Sequence, residues 1–238
     1  MTNSLKENNQ NINVLELRNY LLKPNSTDTF SSYFNKYFVN PMNELGGYTL
    51  GQFKISGVND RFVWFRGFTD MNARVKFLKD FYITGPTWKK FGSGANDMML
   101  NSNNVYLLRP LNNKRINSKI LKTDKGITVV DFYICNSTLD KVINLFETTY
   151  IPFLKTLSVE DISLWVSEMS ENDFPQLPVF QDKNLLVTIS NYKDDSIYQS
   201  KQKQINGMHD DLKKSMQELI TTQNNLILLN QNSKTYDK

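Results

Sequence analysis

The chain has 238 residues, 39% of them hydrophobic and 12% aromatic, with a formal net charge of +4; that length suits one large domain or two of about 110 residues. A single cysteine, Cys135, excludes an intrachain disulfide and multi-cysteine zinc sites, and a single histidine, His209, excludes multi-histidine metal centres. No apolar run approaches the ~20 residues that span a bilayer, and the Asn-rich start through Asn13 lacks a signal peptide's apolar core; a reducing, cytoplasmic setting is expected.

The first strand is read at Val14–Leu22. Leu15, Leu17 and Leu21 alternate with Glu16, Arg18 and Tyr20. Pro24-Asn25-Ser26-Thr27 breaks it and offers a helix N-cap. Phe30, Tyr33, Phe34, Tyr37 and Phe38 follow at helical spacing and form one broad apolar face. Gly46-Gly47 supply the positive φ of a helix stop. Strands are read at 48–55 and 61–68, joined through Ser56–Asp60 as a hairpin. A helix over 70–81 presents Met71, Val75, Leu78 and Phe81. Gly85-Pro86 interrupts it, a further helical segment carries Trp88, Phe91, Ala95 and Met99, and a strand closes the unit at 104–109.

The remainder repeats that order. The strand Ile127–Cys135 puts Asp131 and Tyr133 where Arg18 and Tyr20 fell. Leu139, Val142, Ile143 and Phe146 mark a helix, 162–167 and 185–190 mark two strands, Met208, Leu212, Met216 and Leu219 mark the last helix, and 224–229 the last strand. Each unit is β-α-β-β-α-β, the ferredoxin-like split unit. The fold class is therefore α+β, with two tandem ferredoxin-like halves packed sheet to sheet as an intrachain barrel. The boundaries are a tail at 1–12, a first domain at 13–110, a linker at 111–126 and a divergent second domain at 127–238. Lys114, Arg115, Lys119, Lys122 and Lys125 lie in that linker without interleaved aromatics, the pattern of a solvated segment and not of a nucleic-acid footprint.

Several stretches of the first half together resemble the NIPSNAP family: Glu16-Leu-Arg-Asn-Tyr20, Leu50-Gly-Gln-Phe53, Arg61-Phe-Val-Trp-Phe-Arg-Gly-Phe68 with Asp70, Phe81-Tyr82 followed by Gly85-Pro-Thr-Trp88, Ala95-Asn96, and Asn104-Val-Tyr-Leu-Leu-Arg-Pro110. The resemblance covers about residues 13–110, and the second half matches only in layout. It implies the dimeric α+β barrel superfamily, which includes cofactor-independent monooxygenases and haem enzymes. Fold membership alone does not fix chemistry. Members of the family often carry a Trp-Lys-Ala-His-Arg-like run, and here Phe91 stands at the histidine position and Gly92 at the arginine position.

The alternation puts Glu16, Arg18 and Tyr20 on one strand face, and Trp64 and Arg66 on another with Phe62 and Phe68. Leu15, Leu17, Val63 and Phe65 are expected under the helices, so the charged and aromatic set is expected to line the barrel interior. Ligand-binding candidates are Glu16, Arg18, Tyr20, Trp64, Arg66, Trp88, Asn96 and Asp131. Arginine would anchor an anion, and Tyr20, Trp64 and Trp88 would flank a planar ring. The leading reading is a protein that binds a small aromatic or anionic molecule, acting as a cofactor-independent monooxygenase that holds a substrate anion at Arg18 or Arg66. A sealed ion network pairing Arg18 with Asp131 and Glu16 with Arg66 would read identically and would make the chain a non-catalytic module. Haem bound through His209 is a third reading. Neither a metal nor a cofactor is expected, and an exposed strand edge would support a homodimer. If there is a site, the first half should build it, with the second as lid and counter-charge.

Overall fold

The computed structural model describes residues 11–111, 126–136, 138–159 and 161–230. The basic group Lys114 to Lys125 and the first ten residues of the expected tail lie outside them. Along the first part run β1 (Val14–Leu22), α1 (Thr27–Tyr37), α2 (Val39–Glu44), β2 (Tyr48–Ile55), β3 (Val58–Phe68), α3 (Met71–Leu78), a π-helical turn (Lys79–Thr84), α4 (Pro86–Asn96), β4 (Met99–Asn101) and β5 (Val105–Pro110). The second part has β6 (Ile127–Cys135), α5 (Leu139–Leu145), a π-helical turn (Phe146–Tyr150), α6 (Ile151–Thr156), β7 (Ile162–Ser167), β8 (Leu185–Tyr192), α7 (Asp195–Asn206), α8 (Asp210–Leu219) and β9 (Ile220–Asn230). No helix among the described residues is long and apolar enough to cross a membrane.

Local chemistry sets the element ends. Asp70 and Asp194 are N-caps whose carboxylates accept the backbone N–H of Ala73 at 2.8 Å and Ile197 at 2.9 Å, satisfying a donor that the first helical turn leaves free. Ser26 stands at the N-cap of α1 but makes no side-chain capping bond. Gly46 follows α2 at φ +87°, and Gly57 turns the hairpin at φ +74°, conformations open to glycine at little cost. Ile55 pairs with Val58, so this hairpin is tighter than the expected five-residue connection.

Eight strands close into an antiparallel barrel in the order β3-β2-β9-β6-β8-β7-β5-β1, with β1 returning to β3 and the short β4 added outside on β1. The two parts are not merely stacked face to face. β2 pairs with β9 from Phe53↔Asn230 to Ile55↔Leu228, and β5 pairs with β7 from Leu108↔Ser167 to Pro110↔Trp165. These seams satisfy edge N–H and C=O groups that two separate sheets would leave unpaired.

One apolar cluster takes residues from all eight barrel strands and none from a helix. It includes Leu15, Leu17, Phe53, Val63, Phe65, Leu108, Val130, Phe132, Trp165, Val187 and Leu228. This is the barrel interior, and side chains fill it. A second cluster joins Tyr20, Phe62, Trp64 and Phe68 to Phe30, Phe34, Phe38, Phe77 and Phe81 of the first helical layer. A third joins Val129, Tyr133 and Leu186 to Val142, Phe146, Leu212 and Met216 of the other layer. The expected orientation is therefore reversed: Leu15, Leu17, Val63 and Phe65 point into the barrel, while Tyr20, Trp64 and their charged neighbours lie under the helices. The physical reason is partner supply. Inside a closed barrel the backbone groups of the wall are already paired, whereas the helical layer brings further polar side chains to a buried charge.

Candidate functional site

Each flank of the barrel, between sheet and helices, holds a different chemistry. On the first, Glu16 is fully buried at the centre of three arginines. Arg66 donates through Nε at 2.8 Å and Nη2 at 2.5 Å, Arg18 through Nη1 at 2.8 Å, and Arg74 through Nε at 2.7 Å. All four side chains are at most 1% exposed. Burial opposes ionisation of Glu16, but the guanidiniums of Arg66, Arg18 and Arg74 outweigh it and hold the carboxyl well below the usual carboxylate range. Arg18 Nε also donates to the Tyr20 hydroxyl at 2.7 Å, and Arg66 Nη1 to the Tyr82 hydroxyl at 3.1 Å. Aromatic faces enclose the group, with the Arg66 guanidinium 4.9 Å from the Phe77 ring centre and 5.2 Å from that of Trp64.

The expected pair of Glu16 with Arg66 forms. The expected pair of Arg18 with Asp131 does not, because Arg18 turns to Glu16 and Tyr20 while Asp131 lies on the other flank. Trp88 is half-buried and packs on Phe38, Phe81 and Tyr82 beside the cluster. Asn96 is exposed at the end of α4. Three contributors escaped the sequence reading, namely Arg74, Tyr82 and Asn172, whose Oδ1 accepts from Arg74 Nη1 at 2.9 Å. Arg74 had a signal, since it falls three residues after Met71 and four before Leu78, within the inward stripe of its helix. Asn172 had none, because it lies in the long connection from β7 to β8 and crosses from the other half of the chain.

The second flank contains a cavity of about 240 Å³. Asp131 of β6, with Thr188 and Tyr192 of β8, stands on its sheet side, and Tyr150, Gln202 and Met216 come from the helical side. Thr188 Oγ1 donates to Asp131 Oδ2 at 3.3 Å. Burial pushes the Asp131 carboxyl up to about 6, against hydrogen bonds from Thr188 and Gln223 that lower it. Burial likewise raises the phenols of Tyr133 and Tyr150, and that of Tyr192 to about 12, with the Asp131 charge adding to each. At neutral pH the site thus presents one ionisable carboxylate among protonated phenols. The sequence hinted at this face, because Thr188 and Ser190 alternate with Val187 and Ile189 on β8.

The counter-charge residue Asp131 therefore sits in the cavity, and the arginine face sits elsewhere. His209 is exposed at the start of α8 and is not among the cavity-lining residues, although the adjacent Met208 is. Cys135 is buried, and burial lifts its thiol to about 11. Among the described residues no group of three or more His, Cys, Asp or Glu side chains is placed to hold a metal ion.

No family model matches the sequence, and no curated protein matches it. Among solved structures, the chain is similar over 92% of its length to 92% of a candidate monooxygenase (FN1347) from Fusobacterium nucleatum, at 11% identity and a TM-score of 0.61. It is similar over 91% of its length to 91% of an anthrone oxidase-like protein, at 9% identity and a TM-score of 0.56. A NIPSNAP domain protein from Burkholderia xenovorans matches 42% of this chain with 95% of its own, at 15% identity and a TM-score of 0.38. The NIPSNAP likeness is thus partial, and the full-length likeness is one of fold: a mixed chain of strands and helices closing an eight-stranded antiparallel α+β barrel.

Proposed function

We propose that the chain binds a small hydroxyaromatic molecule in the cavity beside Asp131 and acts on it as a cofactor-independent monooxygenase. The observation that carries this reading is a carboxyl group raised to about 6 and facing a cavity with protonated tyrosines. Such a group is ionised at neutral pH yet basic enough to take a phenolic proton. The hydroxyls of Tyr150 and Tyr192 would donate hydrogen bonds to the phenolate as its charge spreads into the ring. The ring carbon opposite the phenolate then attacks dioxygen. One oxygen atom stays on carbon as a carbonyl, the other leaves as water with the two hydrogens lost, and the substrate supplies the electrons. The names borne by the two full-length structural neighbours support this class of reaction. The cavity is smaller than the ~300–1,000 Å³ typical of drug-sized ligands, which favours a one- or two-ring substrate.

This reading moves the ligand from the barrel interior to the second flank. It also treats the chain as two ferredoxin-like domains, 13–110 and 127–238. Matching strand orders, β2-β3-β1-β5 and β7-β8-β6-β9, support that division.

The test uses 1-naphthol as probe. Thermal stabilisation on binding and oxygen uptake with naphthoquinone formation are expected of the wild type. Asp131→Asn should still bind but turn over at least ~100-fold more slowly. Binding without oxygen uptake would leave a binding module, and no binding at all would sink the reading.

A further inference from the structure

The arginine flank is independent of that cavity and has an unbalanced charge. Three guanidiniums, which stay protonated at any physiological pH, share one carboxylate, Glu16. No other carboxylate among the described residues forms an ion pair with them, so two positive charges remain in excess in a site excluded from water. Two donors there are also unused: Arg74 Nη2 and Trp64 Nε1 are buried without a hydrogen-bond partner. Native interiors rarely leave such groups unpaired, and a charged donor is the costliest to strand.

The cover over this site comes from the connection between β7 and β8. Both ends of that connection are fastened to β5, where Glu168 N donates to Leu107 O at 2.9 Å and Phe180 N to Val105 O at 2.7 Å. Gln181 Nε2 bridges the carbonyls of Glu168 and Ser170 at 2.6 and 2.7 Å and closes the neck. Between these anchors the segment reaches the cluster through the neutral Asn172 amide on Arg74 and the buried ring of Phe174 against Tyr82. The amide oxygen of Asn172 occupies the place where an anionic oxygen would bind best, and Phe174 fills space that a small molecule could take.

We propose that this flank is a binding site for a small, doubly charged oxyanion of the carboxylate or phosphate class, which enters as residues 169–179 lift and displaces Asn172 from Arg74. One oxygen takes the Nη1 hydrogen that Asn172 now holds, and another takes the free Nη2 hydrogen in the bidentate geometry that guanidinium favours. The two added negative charges balance the excess. The shared loop anchors act as the hinge.

The experiment titrates the full chain with inorganic phosphate and, separately, with phthalate, against chloride at equal ionic strength. A rise in Tm on the order of 5–10 °C is expected at about 100 times Kd, with phosphate-only or phthalate-only stabilisation naming the source. Arg74→Gln should abolish the rise. Asn172→Ala, which leaves every arginine in place, should tighten binding several-fold, so the idea remains testable if Arg74→Gln fails to fold. Asp131→Asn should retain the rise; its loss there would move the anion to the cavity and overturn the proposal. The absence of stabilisation by either anion also overturns it.

Discussion

Arg74 and Glu16 are 58 positions apart in the chain, and Arg74 Nε stands 2.7 Å from Glu16 Oε1 at the centre of a buried cluster. The bond ties α3 to the N-terminal part of β1, and the same carboxylate also holds Arg18 and Arg66. Replacing it by a neutral amide would strand three buried cations. Glu16→Gln should therefore cost about 3–5 kcal/mol, as breaking a buried pair does. Urea denaturation of the two proteins measures it. A loss below about 1 kcal/mol would be the behaviour of a solvated surface pair and would contradict the sealed geometry.

The two flanks should respond to pH with opposite sign. The Glu16 carboxyl is held below its ordinary value of 4.5, so its stabilisation is present above that pH and is lost as the pH falls below it. Asp131 titrates at about 6 when folded and near 3.8 when free, so the folded state prefers it protonated. Its contribution is full below pH 3.8 and is lost as the pH rises through 6, an effect of up to about 3 kcal/mol. Asp131→Asn should thus exceed the wild type in stability at pH 8 and match it near pH 4. Equal stability differences at the two values would show that the carboxyl ionises without penalty.

The barrel interior is shared by all eight barrel strands, so it should bind the two halves into one cooperative unit. Phe65→Ala removes a fully buried ring from that interior and should cost about 3–5 kcal/mol. Hydrogen exchange in graded urea provides the sharper check. The amides of Leu17 and Val187, on opposite halves of the wall, should lose protection together. Earlier release of either one would mean the seams are weaker than their pairing implies.

Gly92 permits close packing by Trp88. A Cβ at position 92 would stand 2.7 Å from Trp88 Cε2, so Gly92→Ala must push the indole away. A loss of about 1–3 kcal/mol is expected. Trp64 and Trp165 are fully buried and Trp88 is half-buried, so a red shift of tryptophan emission should accompany the change. An unaltered spectrum would show that the indole gives way without leaving its site.

Much of the fold was legible because the apolar periods were clean. Phe30, Phe34 and Phe38 do form the buried face of the first helices, and Asp70 does start the helix read from position 70. What alternation could not decide was which strand face turns inward. Tyr20, Phe62, Trp64 and Phe68 are as apolar a set as Leu15, Leu17, Val63 and Phe65, and the choice depended on Arg74 arriving from a helix. α7 went unread because only Tyr198 and Ile205 are buried along its twelve residues, too sparse a stripe to register. Of the site, Asp131 was legible as a charge in an apolar strand, but its distance from Arg18 was not, since strand order around a closed wall is a tertiary fact.

A ring of identical subunits must repeat each substitution at every symmetry-related place. Here one continuous chain winds around the whole barrel, and Arg18 on β1 faces one helical layer while Asp131 on β6 faces the other. A mutation that suits the cationic flank is not imposed on the acidic one. Covalent continuity thus frees the two faces of a common scaffold to follow separate histories while a single solid interior keeps both folded.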